Sequence, residues 1–172
     1  MAVANSAMTQ SPTAAASVGL EAGLSLEDVA DQLGRVPQVP GRLERVIAEP
    51  FTVIVDFAHT PGALDRVLST VRTLADGRLI VVFGAGGDRD RGKRPRMAEA
   101  ASRHGDLVVV TSDNPRTEDP ESILDDVVAG MGEVEWERIT DRRDAIRFAL
   151  DAADRGDVVL LAGKGRETYQ VV

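Results

Sequence analysis

Alternating strand and helix patterns from about residue 50 onward predict an α/β fold. The expected architecture is a Rossmann-like, mostly parallel sheet with helices on both faces, preceded by a short helical and linker segment. Three observations carry it. Runs rich in Val, Ile and Leu recur at 52–55, 79–83, 107–110 and 158–161, with the near-continuous apolar content of strands covered on both faces. Helix-like spacing fills the intervals at 61–74, 95–103, 120–131 and 142–153. The helix starts are marked, because Thr60-Pro61, Asp119-Pro120 and Asp141 each put a capping side chain before a first turn, twice with proline at the first helical position.

Taken in order, residues 1–17 are small and polar, and no structure of their own is expected there. Leu20, Leu24, Leu26, Val29, Ala30 and Leu33 recur at helical spacing, with Ser25 placed to cap a short helix over 26–33. Pro37, Pro40 and Gly41 stop that helix and make 36–42 an extended connection. The regular pattern then begins, and 135–139, more polar than the rest, adds one further strand. The expected division is a leading segment over 1–48 and a domain over 49–172.

The composition narrows the function. A net charge of -8 argues against a nucleic-acid partner, since affinity for a phosphate backbone needs clustered Lys and Arg, yet one local basic pocket suffices for a small anion. The absence of cysteine excludes a disulfide framework and a thiolate metal site and fits a reducing cytoplasm. No Lys or Arg occurs in the first 34 residues and no compact apolar core follows, so a targeting signal is not expected. Nor does any uninterrupted apolar run reach the ~18 residues of a membrane span. A soluble, cytoplasmic, monomeric protein without nucleic-acid or membrane partners is expected.

In an open parallel sheet the ligand site lies beyond the carboxyl ends of the strands. Three such ends are rich in chemistry: a glycine-rich turn from Gly84 that becomes the charge cluster Asp88-Arg89-Asp90-Arg91, then Asp113-Asn114-Pro115-Arg116, then Gly163-Lys164-Gly165-Arg166-Glu167. Each alone is ordinary turn chemistry about half the time. Emerging together on one sheet edge, they bring Arg89, Asp113, Arg116 and Glu167 towards one place. Guanidinium groups clamp carboxylates and the acidic pair receives an ammonium, which describes an amino acid. No Gly-x-x-x-x-Gly-Lys-Ser/Thr phosphate loop is present, and Gly84-x-Gly86 lacks the third glycine of a dinucleotide fingerprint. Asp56-Phe57-Ala58-His59-Thr60-Pro61 reads either as a helix start with a surface histidine or as a site where Asp56, ending the first strand, binds a sugar hydroxyl. Gly41-Arg42-Leu43-Glu44 could present Arg42 across a cleft.

Taken in order, Gly41-Arg42-Leu43-Glu44, Asp56-Phe57-Ala58-His59-Thr60-Pro61, Gly86-Gly87-Asp88-Arg89-Asp90, Gly92-Lys93-Arg94-Pro95, Asp113-Asn114-Pro115-Arg116 and Gly163-Lys164-Gly165-Arg166-Glu167 resemble the Mur ligase family over about residues 36–172. Asp113-Asn114-Pro115-Arg116 is similar to the mark of the member that adds meso-diaminopimelate; the lysine-adding relative carries another residue in place of Arg116. The resemblance implies that Arg89, Asp113, Asn114, Pro115, Arg116, Gly163 and Glu167 bind diaminopimelate, with Arg116 on its distal carboxylate. It implies that Arg42 and Asp56 touch ATP, at phosphate and ribose, and matches Asn5 to an asparagine near the adenine. It assigns the parent ATP-dependent amide formation through an acyl phosphate on UDP-N-acetylmuramoyl-L-alanyl-D-glutamate, with magnesium held by residues outside this chain. Residues 1–48 then correspond to the end of the central ATP-binding domain, and without a phosphate loop the isolated chain is expected to be inactive. The alternatives are a non-catalytic binding module derived from such a ligase, or a folylpolyglutamate or lysine-adding relative, against which Arg116 argues.

Overall fold

The structure, a computed structural model, describes residues 11–171, and Asn5 lies outside the described residues. The chain divides into two compact units, one up to Val39 and one from Pro40 onward.

The first unit is a helical pair. Helix α1 (Ser11–Glu21) packs on α2 (Leu26–Arg35). The Ser25 side chain accepts from the Asp28 amide at 3.0 Å, the cap expected from the sequence, and Val29 is the buried anchor. Helix α1 corrects the expectation of an unstructured start: Ala14, Ala15 and Ala16 are strong helix formers, and Pro12 falls in the first turn where its missing N–H is harmless.

The second unit holds a six-stranded sheet of order β1-β2-β6-β3-β4-β5. Its elements are β1 (Glu44–Ile47), β2 (Thr52–Asp56), α3 (Pro61–Arg72), β3 (Leu79–Phe83), α4 (Lys93–His104), β4 (Leu107–Val110), α5 (Pro120–Val128), β5 (Glu135–Arg138), α6 (Arg142–Asp151) and β6 (Val158–Ala162). All neighbours pair in parallel except β1, which runs antiparallel to β2. The sequence reading left β1 in the leading segment, because four mostly exposed residues with two charges show no apolar run. The sheet-bearing unit therefore begins at Pro40 instead of near residue 49.

The pleat sorts the strands onto two cores. Ile54, Leu160, Val81 and Val108 are paired across four strands and face a core completed by Leu64, Leu68, Met97, Ile123 and Leu124 from α3, α4 and α5. The adjacent row Val53, Val159, Ile80 and Leu107 faces Ala145 and Ala149 of α6. The alternation along each strand decides this, since successive side chains leave opposite faces. Three crossovers thus proceed over one face, and the fourth returns over the other to insert β6 between β2 and β3. A right-handed crossover that reverses direction must change faces in this way.

Helix α4 starts two residues before Pro95, which sits in its first turn where no intrahelical N–H bond is lost. That turn buries Arg94 completely. Its guanidinium donates to Glu118 at 2.7 and 3.0 Å, to Asp126 at 2.8 Å and, more weakly, to the Gly86 carbonyl at 3.4 Å. Glu118 also accepts from the Asp88 amide at 2.6 Å. No helix is long and apolar enough to cross a membrane among the described residues.

Two measurements check this framework. Leu68→Ala should remove about 2–5 kcal/mol in urea unfolding, as a fully buried leucine does, and a change under about 1 kcal/mol would contradict the packing described. Arg94 and the Asp88 amide hold the Glu118 carboxyl down at about 2, against an ordinary 4.5. A depressed carboxyl stabilises the fold fully above its unfolded value and loses that contribution as pH falls through the folded one. Thermal midpoints should therefore fall between pH 4.5 and 2 less steeply in Glu118→Gln than in the unsubstituted chain, and parallel curves would refute the assignment.

Candidate active site

The strands β2, β6, β3 and β4 are consecutive neighbours in the sheet, and the loops leaving their carboxyl ends carry the four motifs. Those loops enclose a cavity of about 290 Å³, lined from β2 by Phe57, His59 and Thr60, from β3 by Gly84, Gly86, Arg89 and Lys93, from β4 by Asp113, Asn114 and Arg116, and from β6 by Gly163 and Glu167. Six of the seven residues expected to bind the amino acid line it, and the seventh, Pro115, stands between two that do.

The β3 and β4 loops are clasped by backbone. The Gly87 amide donates to the Asn114 carbonyl at 2.9 Å, and a side chain at Gly87 would overlap the Pro115 carbonyl, so only glycine allows this approach. Pro115 therefore acts through its backbone. Arg116 lies in the left-handed region at φ 56°. Its Nη1 donates to the Gly87 carbonyl at 2.8 Å and the Asn114 carbonyl at 3.3 Å, so one side of the guanidinium is spent on the loop. No protein partner is recorded for Nη2 and Nε among the described residues.

Asp113 and Asn114 are buried. Lys164 sits behind them, with Nζ 2.9 Å from Asn114 Oδ1, 3.3 Å from Glu167 Oε2 and 3.8 Å from Asp113 Oδ1. By taking Asn114 Oδ1, which also accepts from the Val171 amide at 2.8 Å, Lys164 turns the Asn114 Nδ2 towards Glu167 at 3.2 Å. Arg142 clips the same floor from α6, donating to the Ala162 carbonyl at 2.8 Å. Burial pushes its guanidinium down, with Asp113 and Glu167 pulling the other way. Lys93, held at 2.9 Å to the His59 carbonyl, is likewise pushed down by burial and opposed by Asp113 and Asp90. The sequence reading gave Lys93, Lys164 and Arg142 no role. Lysine beside a strand end is the commonest of solvated residues, and only the fold sets these three against buried carboxylates.

Arg42 and Asp56 do not line the cavity. Asp56 is buried, and its two oxygens accept from the Ala58 amide at 2.7 Å and the Leu43 amide at 2.8 Å. The motif around Arg42 is largely architectural: the Gly41 amide donates to Glu44 at 2.7 Å, and Gly41, at φ 70°, lies against the backbone of Gly165 and Arg166 where a Cβ would not fit. Arg42 itself is exposed, with its guanidinium 4.8 Å from the Phe57 ring centroid. No group of three or more His, Asp or Glu is placed to hold a metal ion among the described residues.

The cavity is thus an electrostatically mixed site, with Arg89, Lys93 and Arg116 facing Asp113 and Glu167. Such a lining suits a small zwitterion carrying more than one carboxylate.

Known proteins share the fold. Residues 41–165 match the family described as Mur ligase, glutamate ligase domain. The UDP-N-acetylmuramoyl-L-alanyl-D-glutamate–2,6-diaminopimelate ligases of Geobacillus thermodenitrificans and Trichormus variabilis are 52% and 53% identical, over 92% and 91% of this chain. A solved structure of a ligase of that name superposes with a TM-score of 0.74 at 43% identity, over 92% of this chain. The chain spans about one third of the length of these proteins, 33% in each case. With its clasped loops, its parallel sheet and a match covering residues 41–165, the chain belongs to the Mur ligase family.

Proposed function

We propose that this chain is the amino-acid-docking domain of an ATP-dependent ligase that adds meso-diaminopimelate to UDP-N-acetylmuramoyl-L-alanyl-D-glutamate in peptidoglycan precursor synthesis. The observation that carries the reading is Arg116, anchored through Nη1 in a cavity that also holds two carboxylates, with its other nitrogens unspent. Diaminopimelate differs from lysine by a carboxylate on its far end, and an anchored guanidinium is the group that rewards it. Arg89 would take a carboxylate and Asp113 and Glu167 an ammonium, with Asn114 positioning Glu167 through its Nδ2. The names of the relatives at 52% and 53% identity support the same substrate.

In this reading the enzyme is cytoplasmic and monomeric, and residues 1–48 include the end of a preceding ATP-binding domain. ATP would meet this chain at Arg42, whose exposed guanidinium suits a phosphate, and at the second lone pairs of the Asp56 oxygens, which suit a ribose hydroxyl. Those two residues cannot hold a triphosphate by themselves, and no residue cluster fits magnesium among the described residues, so both belong mainly to other domains of the complete enzyme. ATP supplies activation of the glutamyl carboxylate as an acyl phosphate. The residues here bind and orient the amine that displaces it.

Calorimetric titration of meso-diaminopimelate and lysine into the chain tests the docking site. Arg116→Ala removes a charge-assisted contact of about 1.5–3 kcal/mol, a loss of roughly 10- to 150-fold for diaminopimelate with lysine little changed. Arg116→Lys should recover only part, because an ammonium cannot make the planar two-point contact. Equal losses for both amino acids would remove Arg116 from substrate selection. A phosphate-release assay with all three substrates should show no turnover by the isolated chain, and turnover above a control without enzyme would overturn the division of labour proposed here.

A further inference from the structure

We propose that His59 is the proton acceptor for the attacking amine, a catalytic role that rests on the cavity being the diamino-acid site. An amino acid arrives near neutral pH as an ammonium, whose nitrogen has no lone pair to offer an acyl phosphate. One proton must leave first, and the acceptor has to stand among the groups lining the cavity.

Those groups divide by chemistry. Asp113 and Glu167 lie 3.8 and 3.3 Å from the Lys164 ammonium, and carboxylates as a class are far too weak as bases to strip an ammonium, though well suited to hold one. Lys93 donates to the His59 carbonyl at 2.9 Å, and Arg89 and Arg116 are permanent cations. His59 remains. Its Nδ1 lies 2.9 Å from the Phe57 carbonyl oxygen, and a carbonyl only accepts, so Nδ1 carries the hydrogen and the neutral ring keeps its lone pair on Nε2. No protein partner is recorded for Nε2 among the described residues. The ring is held edge-on to Phe57 at 4.7 Å, and its backbone is pinned by Lys93. A fixed tautomer, a free basic nitrogen and a place in the cavity wall are what a general base requires.

Nε2 takes one ammonium proton and becomes imidazolium, freeing the amine lone pair. That pair forms the C–N bond at the acyl carbon while the C–O bond to phosphate breaks, and the second nitrogen-bound proton leaves with the phosphate. The charged groups that share the cavity with His59 are Lys93 from α4, Arg89 from the β3 loop, Asp113 and Arg116 from the β4 loop and Glu167 from the β6 loop, with Arg42 beside Phe57.

The chain has two histidines, so His104→Gln leaves His59 as the single imidazole for nitrogen-15 NMR. Free His59 should show the Nδ1–H tautomer, and meso-diaminopimelate at mildly alkaline pH should move its Nε2 resonance towards the protonated form. Binding that leaves Nε2 unmoved, or an Nε2–H tautomer in the free chain, would overturn the assignment while sparing the docking site. Absence of binding would overturn both. In the complete ligase, His59→Gln should lower kcat about 100-fold near neutral pH with KM for diaminopimelate nearly unchanged. The deficit should shrink at higher pH, where more amine is already free. A loss shared with KM, or independent of pH, would mark His59 as merely structural.

Discussion

The buried guanidinium of Arg94 is the interaction on which the site depends. It joins three parts of the chain: the glycine-rich loop through the Gly86 carbonyl, the approach to α5 through Glu118, and α5 itself through Asp126. The first two of these parts adjoin the β3 and β4 loops that line the cavity. Removing one partner from such a pair leaves an uncompensated buried charge, at a cost of about 3–5 kcal/mol, whereas replacing the whole cluster by apolar residues is often neutral for stability. Stability alone therefore gives no reason to prefer the ions. Geometry does, because an apolar substitute would fill the space without fixing where the Gly86 carbonyl and the Asp88 turn sit relative to Arg116.

Topology supplies the other constraint. A sheet built with all four crossovers over one face would have placed β6 outside β5, far from β2. The return of α6 over the opposite face inserts β6 between β2 and β3, so its loop enters the middle of the row of loops. Only then do Gly163 and Glu167 meet Asp113 and Asn114. The small residues Ala145 and Ala149 let α6 lie close to the sheet for this return. Packing thus decides a matter of chemistry, since the carboxylates and Lys164 become neighbours through strand order and not through sequence distance.

The parts of this arrangement legible in the sequence were those with a local physical signature. Buried parallel strands betray themselves by apolar runs, and the caps at Thr60, Asp119 and Asp141 accept the amides that their types predict. That Arg89, Asp113, Arg116 and Glu167 come to one cavity was legible because strand ends in this fold class converge. Strand β1 was illegible because an exposed edge is held by backbone pairing, which side chains do not encode. The burial of Arg94 is not legible, since one charge followed by a proline does not reveal that its acidic partners lie 24 and 32 residues away. Helices α3, α5 and α6 end two or three residues before their apolar pattern does, in turns that reuse the same side chains for packing.

The strained conformation of Arg116 connects these levels. A non-glycine residue in the left-handed region costs on the order of 1 kcal/mol and persists only where its surroundings over-determine it. Here they do: the Arg116 amide donates to the Val171 carbonyl at 3.2 Å, its Nη1 grips Gly87, and Gly87 is itself clasped by Asn114. A free surface arginine would lose about 2 kcal/mol of rotamer entropy on closing over a carboxylate. Arg116 has surrendered much of that freedom on folding, so less would be lost on closing over the carboxylate proposed for it. The backbone strain and the buried Arg94 network therefore serve one end. Both are met by folding free energy, the one fixing Arg116 and the other the glycine-rich loop on which its Nη1 rests.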